Sequence, residues 1–395
     1  MSTLISVRHI RKKPQISMHR INEAASDSAR ARNLTHRLYR YPASMSPMIT
    51  RALIEKYSNR GDLLLDPFCG GGTSAVEALG LGRKIICSDI SPFACFITRA
   101  KATPLHNKNI EKFCDWIQKE TVILEKYKPQ NPIPLEVNGK QYAPLTYSTI
   151  LKLIRDTENI SNANTRRLAK IVVLNVARRS IDGRSKIIPY YLVSNVFKRV
   201  SQEVIADIRK CCNGARPDEH YFFERDSLKV INCDAKRLAN RLSEFKNKIR
   251  LVVTSPPYPG VHVLYNRWQV HGRRETDLPF RLLGYNSSRA ASFYTLGTRN
   301  SHEASENYQD QMGRVLSSIY ELMAPGAVFA QVIAFPKNDG HHITEYERLM
   351  KNTGFKPLQP NLMKIQRSVP NRKWYTQIDK NKKQPIEHIF LNRKA

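Results

Sequence analysis

The sequence is short of acid. Against 64 Lys and Arg it sets 34 Asp and Glu, a formal charge of +30 over 395 residues. Such an excess says little about fold and much about partners, because basic surfaces gain affinity by displacing counterions from phosphates. No apolar run is long enough to span a bilayer as a helix, so no membrane partner is expected. The opening stretch, MSTLISVRHIRKKPQIS, has no apolar core of signal-peptide length, which leaves the cytoplasm as the expected compartment. Cysteine is sparse as well, with 7 residues and no CxxC pair. Cys211 and Cys212 are adjacent, a poor spacing for a shared zinc ion, and no metal is expected. No internal repeat is visible.

What is present is a chain with 41% hydrophobic residues, enough for a sizeable core. Residues 1–35 read as a basic arm. SPMITRALIEKYS then reads as an amphipathic helix with Pro47 in its first turn and Ile49, Leu53 and Ile54 on one face. GDLLLDPF reads as a buried strand, GGGTSAVEALGLG as a turn opening a helix, and RKIICSD as a second strand. That is β-α-β, the start of an α/β fold with a mainly parallel sheet flanked by helices. Residues 104–225 break the rhythm with four stretches of helical spacing and a loop or hairpin at QNPIPLEVNGKQYAP. The α/β pattern resumes with LKVINCD as a strand, AKRLANRLSEF as a helix and IRLVVTSPPY as a strand. A helix at ENYQDQMGRVLSSIYELM, a strand at PGAVFAQVIAF and a helix ended by Gly354 follow. LQPNLMKIQRS and IEHIFLNRK pair as a terminal strand couple in this reading. The expected division is 36–103 with 226–395 as one domain, and 104–225 as a mostly helical insertion.

Two motifs carry chemistry. In LLLDPFCGGGTSA, Gly70-x-Gly72-x-x-Ala75 with Asp89 ending the next strand satisfies a dinucleotide fingerprint on paper. Asp66 discriminates: a carboxylate at the strand end repels a pyrophosphate but holds an ammonium. S-adenosylmethionine carries such an ammonium and no phosphate. Glycine permits close approach to its methionine part. Asp89 is placed to accept hydrogen bonds from both ribose hydroxyls, and Ile90 beside it to cover an adenine face. The second motif is Ser255-Pro256-Pro257-Tyr258, at the carboxyl end of a strand where open α/β sheets bind ligands. The prolines fix φ and donate no amide hydrogen, which lets carbonyls face a pocket. The Ser255 hydroxyl and Pro256 carbonyl can accept both hydrogens of an exocyclic amine on a base. The Tyr258 ring supplies a stacking face, and the base must first flip out of its duplex.

Together these residues resemble the amino-methyltransferases of DNA, which carry a DPF-x-G-(S/G)-G-T cofactor turn and a (D/N/S)-PP-(Y/F/W) catalytic loop. The resemblance covers roughly residues 36–103 and 226–395. It implies a Rossmann-like methyltransferase fold, S-adenosylmethionine as cofactor and double-stranded DNA as partner. It further implies a restriction–modification setting, with a nuclease acting on the same site. Cofactor residues implied are Asp66, Phe68, Gly70, Gly72, Thr73, Asp89, Ile90 and Asp234; catalytic ones are Ser255, Pro256, Pro257 and Tyr258. Gly71 stands where Ser is commoner in the family. Ser at the first catalytic position favours cytosine N4 over adenine N6 as the target. An inert DNA-binding module and a nicotinamide oxidoreductase are the readings of other classes. The intact pair of motifs argues against the first, and Asp66 with the proline pair against the second.

Two stretches compete to read DNA. After the catalytic loop, Arg267, Trp268, Arg273 and Arg274 mix guanidinium groups with an aromatic, as phosphate contact and base stacking require. In the insertion, Arg166, Arg167, Arg178 and Arg179 crowd a short segment.

Overall fold

The computed structural model describes residues 21, 23–24, 34–42, 44–103, 107–183, 186–212, 226–258, 268–271, 274–286, 302–335, 340–358, 366–368 and 386–395. Short apolar runs bounded by turn residues become the strands of one large sheet. These are β1 (Leu63–Asp66), β2 (Lys84–Asp89), β5 (Leu228–Asn232), β6 (Ile249–Thr254) and β9 (Met323–Phe335). β10 (Phe355–Pro357), β11 (Gln366–Ser368) and β12 (Ile386–Lys394) complete it. Across the sheet the order is β10-β12-β9-β6-β1-β2-β5, with β11 also pairing β12. β5, β2, β1, β6 and β9 are parallel, and β12 runs against β9.

The order places the site. After β1 the chain builds outward to β2 and β5, then returns to add β6 on β1's other side. Strand order therefore reverses between β1 and β6, and their carboxyl ends open on the crevice where such sheets hold ligands. The central strands β1, β2 and β6 bury side chains on both faces, as their near-continuous apolar runs dictate. Leu64, Ile85, Leu251 and Val253 pack on one side with Ile49, Leu53 and Ile54 of the Pro47–Tyr57 helix and Val76 and Leu79 of the Thr73–Gly80 helix. Leu65, Ile86 and Val252 pack on the other with Met312, Val315 and Ile319 of the His302–Leu322 helix.

The insertion folds as the helices Asn107–Lys126, Pro144–Asp156, Ala163–Ile181 and Val193–Cys212. Between the first two lies the hairpin of β3 (Leu135–Val137) and β4 (Lys140–Tyr142). Its tip, Asn138-Gly139, has positive φ at both residues (49° and 71°), as a two-residue hairpin turn requires. The core of the insertion does not stop at residue 212. A second hairpin, β7 (Trp268–Val270) with β8 (Arg274–Thr276), and the Leu278–Leu282 helix share it, as do Tyr39, Tyr41 and Phe93. Trp268, Val270, Leu278, Phe280 and Leu282 thus pack with the insertion rather than with the sheet.

Other departures from the sequence reading are local. AKRLANRLSEF is not one helix but three short turns, Ala235–Arg237, Leu238–Arg241 and Ser243–Phe245. Leu238 and Leu242 alone are fully buried there, and the chain must turn back within a few residues to enter β6. The basic arm joins the fold early: Ile21 is fully buried, and the Thr35 hydroxyl donates to the Lys101 carbonyl at 2.7 Å. β10 follows Gly354 directly, a strand that the helical pattern before it hides.

Phe93 joins the two halves. Its ring lies 5.8 Å from Tyr39, 6.4 Å from Tyr41 and 5.5 Å from Phe280, with no exposed surface. Phe93→Ala is expected to cost about 3–5 kcal/mol of stability, read as a lowered urea midpoint. A loss under about 1 kcal/mol would mean that insertion and sheet do not share one cooperative core.

Candidate active site

The turn after β1 is held from beneath. The Cys69 amide donates to the Ser88 carbonyl at 2.9 Å, and the Gly72 amide to the Cys69 carbonyl at 2.7 Å. The glycines answer first to the protein itself. A Cβ on Gly71 would lie 2.6 Å from the Tyr41 Cβ, and one on Gly72, whose φ is +77°, 2.9 Å from the Thr98 Cα. At position 71 Tyr41 and Ser44 already fill the space that a side chain would need. Thr73 opens the helix that follows and is 6% exposed.

Asp66 and Asp89 end adjacent strands in different surroundings. Asp66 is wholly buried and accepts from the Ser74 hydroxyl, from the Thr254 hydroxyl at 2.5 Å and from the Phe68 amide at 3.1 Å. Its carboxylate is thus turned inward onto protein donors, not toward an open crevice. Burial pushes its pKa up to about 6, against the pull of those three donors. Asp89 is partly exposed and its oxygens accept one amide each, from Gly70 and from Ser91, both at 2.9 Å. A carboxylate has about four lone-pair directions, so two remain for the vicinal hydroxyls of a ribose. Burial lifts Asp89 to about 6 as well, opposed by the Ser91 and Gly70 amides.

Beside Asp89, Ile90 is a large apolar side chain left 37% exposed. The Asn232 amide at the end of β5 donates to the carbonyls of Asp89 and Ile90, at 2.9 and 2.8 Å. Asp234, two residues on, caps the next turn through the Lys236 amide and pairs with the Lys236 ammonium at 3.4 Å. Half-buried Phe68 packs on the same cluster as Tyr258. An anchored carboxylate with spare acceptors beside an exposed apolar side chain fits the ribose and adenine of S-adenosylmethionine.

β6 delivers the proline loop to the same crevice. Thr254, its last residue, makes the bond to Asp66, so the strand ends carrying the two motifs are joined. Ser255 Oγ lies 3.2 Å from the Tyr258 hydroxyl, and the Pro257 carbonyl accepts from the Tyr308 hydroxyl at 2.9 Å. Sequence reasoning missed Ser74, Thr254 and Tyr308. A polar residue closing the apolar run LVVT was the available signal for Thr254; Tyr308 lies 51 residues from its partner and had none.

Comparison with known proteins bears on the cofactor half. Residues 10–100 match the DNA methylase family. Type II methyltransferase M.MvaI from Kocuria varians is 36% identical over 84 residues, 20% of this chain and 18% of the relative. Type II methyltransferase M.MjaII from Methanocaldococcus jannaschii is 31% identical over 77 residues, 20% of this chain and 14% of the relative. The chain thus spans under a fifth of either relative's length. Among solved structures, a SAM-dependent methyltransferase from Methanosarcina mazei matches with a TM-score of 0.33 and 10% identity, covering 87% of this chain and 97% of that one.

The residues expected to touch DNA divide. Trp268 is 3% exposed inside the insertion's core, bonded to Tyr39, so it offers a base no face for stacking. Arg178 donates to the Arg40 carbonyl at 2.9 Å and pairs with Asp182 at 3.4 Å. Arg179 grips Glu203 with two bonds, the shorter 2.5 Å. Each guanidinium has a carboxylate partner within the chain, and the Arg179–Glu203 pair lies at the surface. Arg166 and Arg167, half-buried, bond the Ile160 carbonyl at 3.2 Å and the Asn164 side chain at 2.5 Å, both neutral partners. Arg274 sits in β8 opposite Val270; Arg267 and Arg273 lie outside the described residues. Among the described residues no group of His, Cys, Asp and Glu is placed to hold a metal, and no helix is long and apolar enough to cross a membrane.

The raised carboxyls set a pH dependence. Both stand above their ordinary value of 3.8 in the fold, so their contribution to stability is complete below about pH 4 and is lost as pH rises through about 6. Cofactor affinity is expected to run the other way. Ribose hydroxyls donating to Asp89 favour its charged form, so affinity rises with pH to about 6 and is level above. Calorimetric titration with S-adenosylmethionine from about pH 5 to about pH 8 checks this. Affinity that declines over the lower half of that range would remove Asp89 from the ribose site.

Proposed function

We propose that this protein transfers a methyl group from S-adenosylmethionine to an exocyclic amine of a base in duplex DNA, with cytosine N4 the preferred target. One observation carries the reading: the cofactor turn and the Ser-Pro-Pro-Tyr loop leave the two strands that flank the switch point, tied by the Asp66–Thr254 bond. The DNA methylase match over residues 10–100 and the charge of +30 support the substrate class. Ser255 supports cytosine; the type II relatives support a restriction–modification setting, with a nuclease as the implied partner.

The bound cofactor supplies an electrophilic methyl group on its sulfonium. Asp89 and Ile90 hold the nucleoside end, and the turn from Phe68 to Thr73 passes beneath the methionine end. Asp66 sets the shape of that turn and its alignment with β6. On the facing side, a flipped base replaces the Ser255–Tyr258 contact: the tyrosine ring stacks on it, and the Ser255 hydroxyl and Pro256 carbonyl accept its amine hydrogens. Holding both hydrogens turns the nitrogen lone pair toward the methyl group. An amine nucleophile needs no covalent cysteine intermediate.

Ser255→Ala and Tyr258→Ala are expected to keep cofactor affinity and to slow single-turnover transfer by about 10²–10³-fold. The assay is transfer from labelled cofactor into duplex DNA, followed by digestion to nucleosides. Label on cytosine N4 is expected. Label on adenine N6 keeps the mechanism and moves the target; label on cytosine C5, or on RNA alone, overturns the reading. DNA binding should also weaken log-linearly with salt, and replacing Arg273 and Arg274 by Ala should shallow the slope by about two. An unchanged slope would place phosphate contact on other residues.

A further inference from the structure

We propose that Tyr308 is a positioning residue for the catalytic loop, an inference that rests on the methyl-transfer reading of that loop. Pro256 and Pro257 have no amide hydrogen, so the fold has few handles on this backbone. Below the loop, Thr254 is fixed to Asp66. Above it, the Pro257 carbonyl is held by the Tyr308 hydroxyl at 2.9 Å. Tyr308 is 8% exposed and packs with Met312 and Val315 of its own helix against the sheet, so a rigid element aims the hydroxyl. Burial raises its pKa well above the ordinary value, and it stays a donor across the working pH range.

The same helix reaches the other half of the site. Gln311 accepts from the Lys236 ammonium at 2.5 Å, and Lys236 in turn pairs with Asp234. Residues three apart share a helix face. One face thus reaches both the catalytic loop and, through Lys236, the carboxylate of Asp234. By holding the Pro257 carbonyl, Tyr308 sets the plane of the peptide that enters Tyr258, and with it the direction in which the stacking ring leaves the backbone.

Tyr308→Phe deletes one oxygen and keeps the ring. The measurements are kcat and KM for duplex DNA, calorimetric affinity for S-adenosylmethionine, thermal melting, and hydrogen exchange of the Ser255 and Tyr258 amides. Losing one neutral hydrogen bond should lower kcat about three- to tenfold, with KM and cofactor affinity held within about twofold. The two loop amides should exchange faster than in the wild type. An unchanged kcat with unchanged exchange overturns the proposal. So does a loss of cofactor affinity and melting temperature in step with kcat, which marks a merely structural bond. A wild type that methylates no DNA would refute the proposed function, while the exchange measurement would still decide whether Tyr308 holds the loop.

Discussion

A buried carboxylate held by neutral donors organises this molecule. Asp66 ends β1 below the sheet's edge and gathers a hydroxyl from the helix that follows, an amide from the turn and a hydroxyl from β6. An acid taken from water needs donors, and a full set stabilises it only while every donor stays in place. The carboxylate is therefore a gauge of assembly: turn, helix start and β6 are correct together or not at all. The crevice inherits its shape from that condition. Asp89, one strand over, keeps two acceptor directions for a ligand because its other bonds go to backbone amides that the turn supplies.

Much of this was legible in the sequence. The strands announce themselves as short apolar runs, and the four insertion helices by their spacing. The Asn138-Gly139 hairpin is written in its turn residues, which alone tolerate two positive φ values in succession. The site's two motifs were equally plain, since glycine and proline act through the backbone at their own positions. What stayed hidden depends on partners distant in the chain. Asp66 read as a ligand for an ammonium because nothing local says that Thr254, 188 residues away, would face it. Nor could local sequence say that Arg179 would pair with Glu203, 24 residues on. Trp268 read as a stacking platform because composition cannot say which side of an aromatic is covered.

The same distinction separates the glycines' apparent purpose from their immediate cause. A glycine-rich turn invites a ligand-based explanation, yet a side chain on Gly71 or Gly72 would first strike Tyr41 or Thr98. The leading segment, through Tyr41, and the Pro92–Ala102 helix, through Thr98, both pack against the turn, so its conformation is set before any ligand arrives. Preformed shape of this kind lowers the ordering cost of binding.

The shared core of the insertion and the 268–286 stretch bears on how such a chain can be rebuilt. The helical region between 107 and 212 is not a cassette. Asp182 bonds the Gln269 amide at 2.9 Å, the Gly183 amide returns a bond to the Gln269 carbonyl at 2.7 Å, and Arg281 reaches the Glu136 carbonyl at 3.2 Å. A graft that moved the helices alone would uncover Trp268, Val270 and Phe280. Any exchange between relatives must carry both stretches, separated in sequence by two strands of the sheet, and must meet the same pair of rings, Tyr39 and Phe93, at the seam.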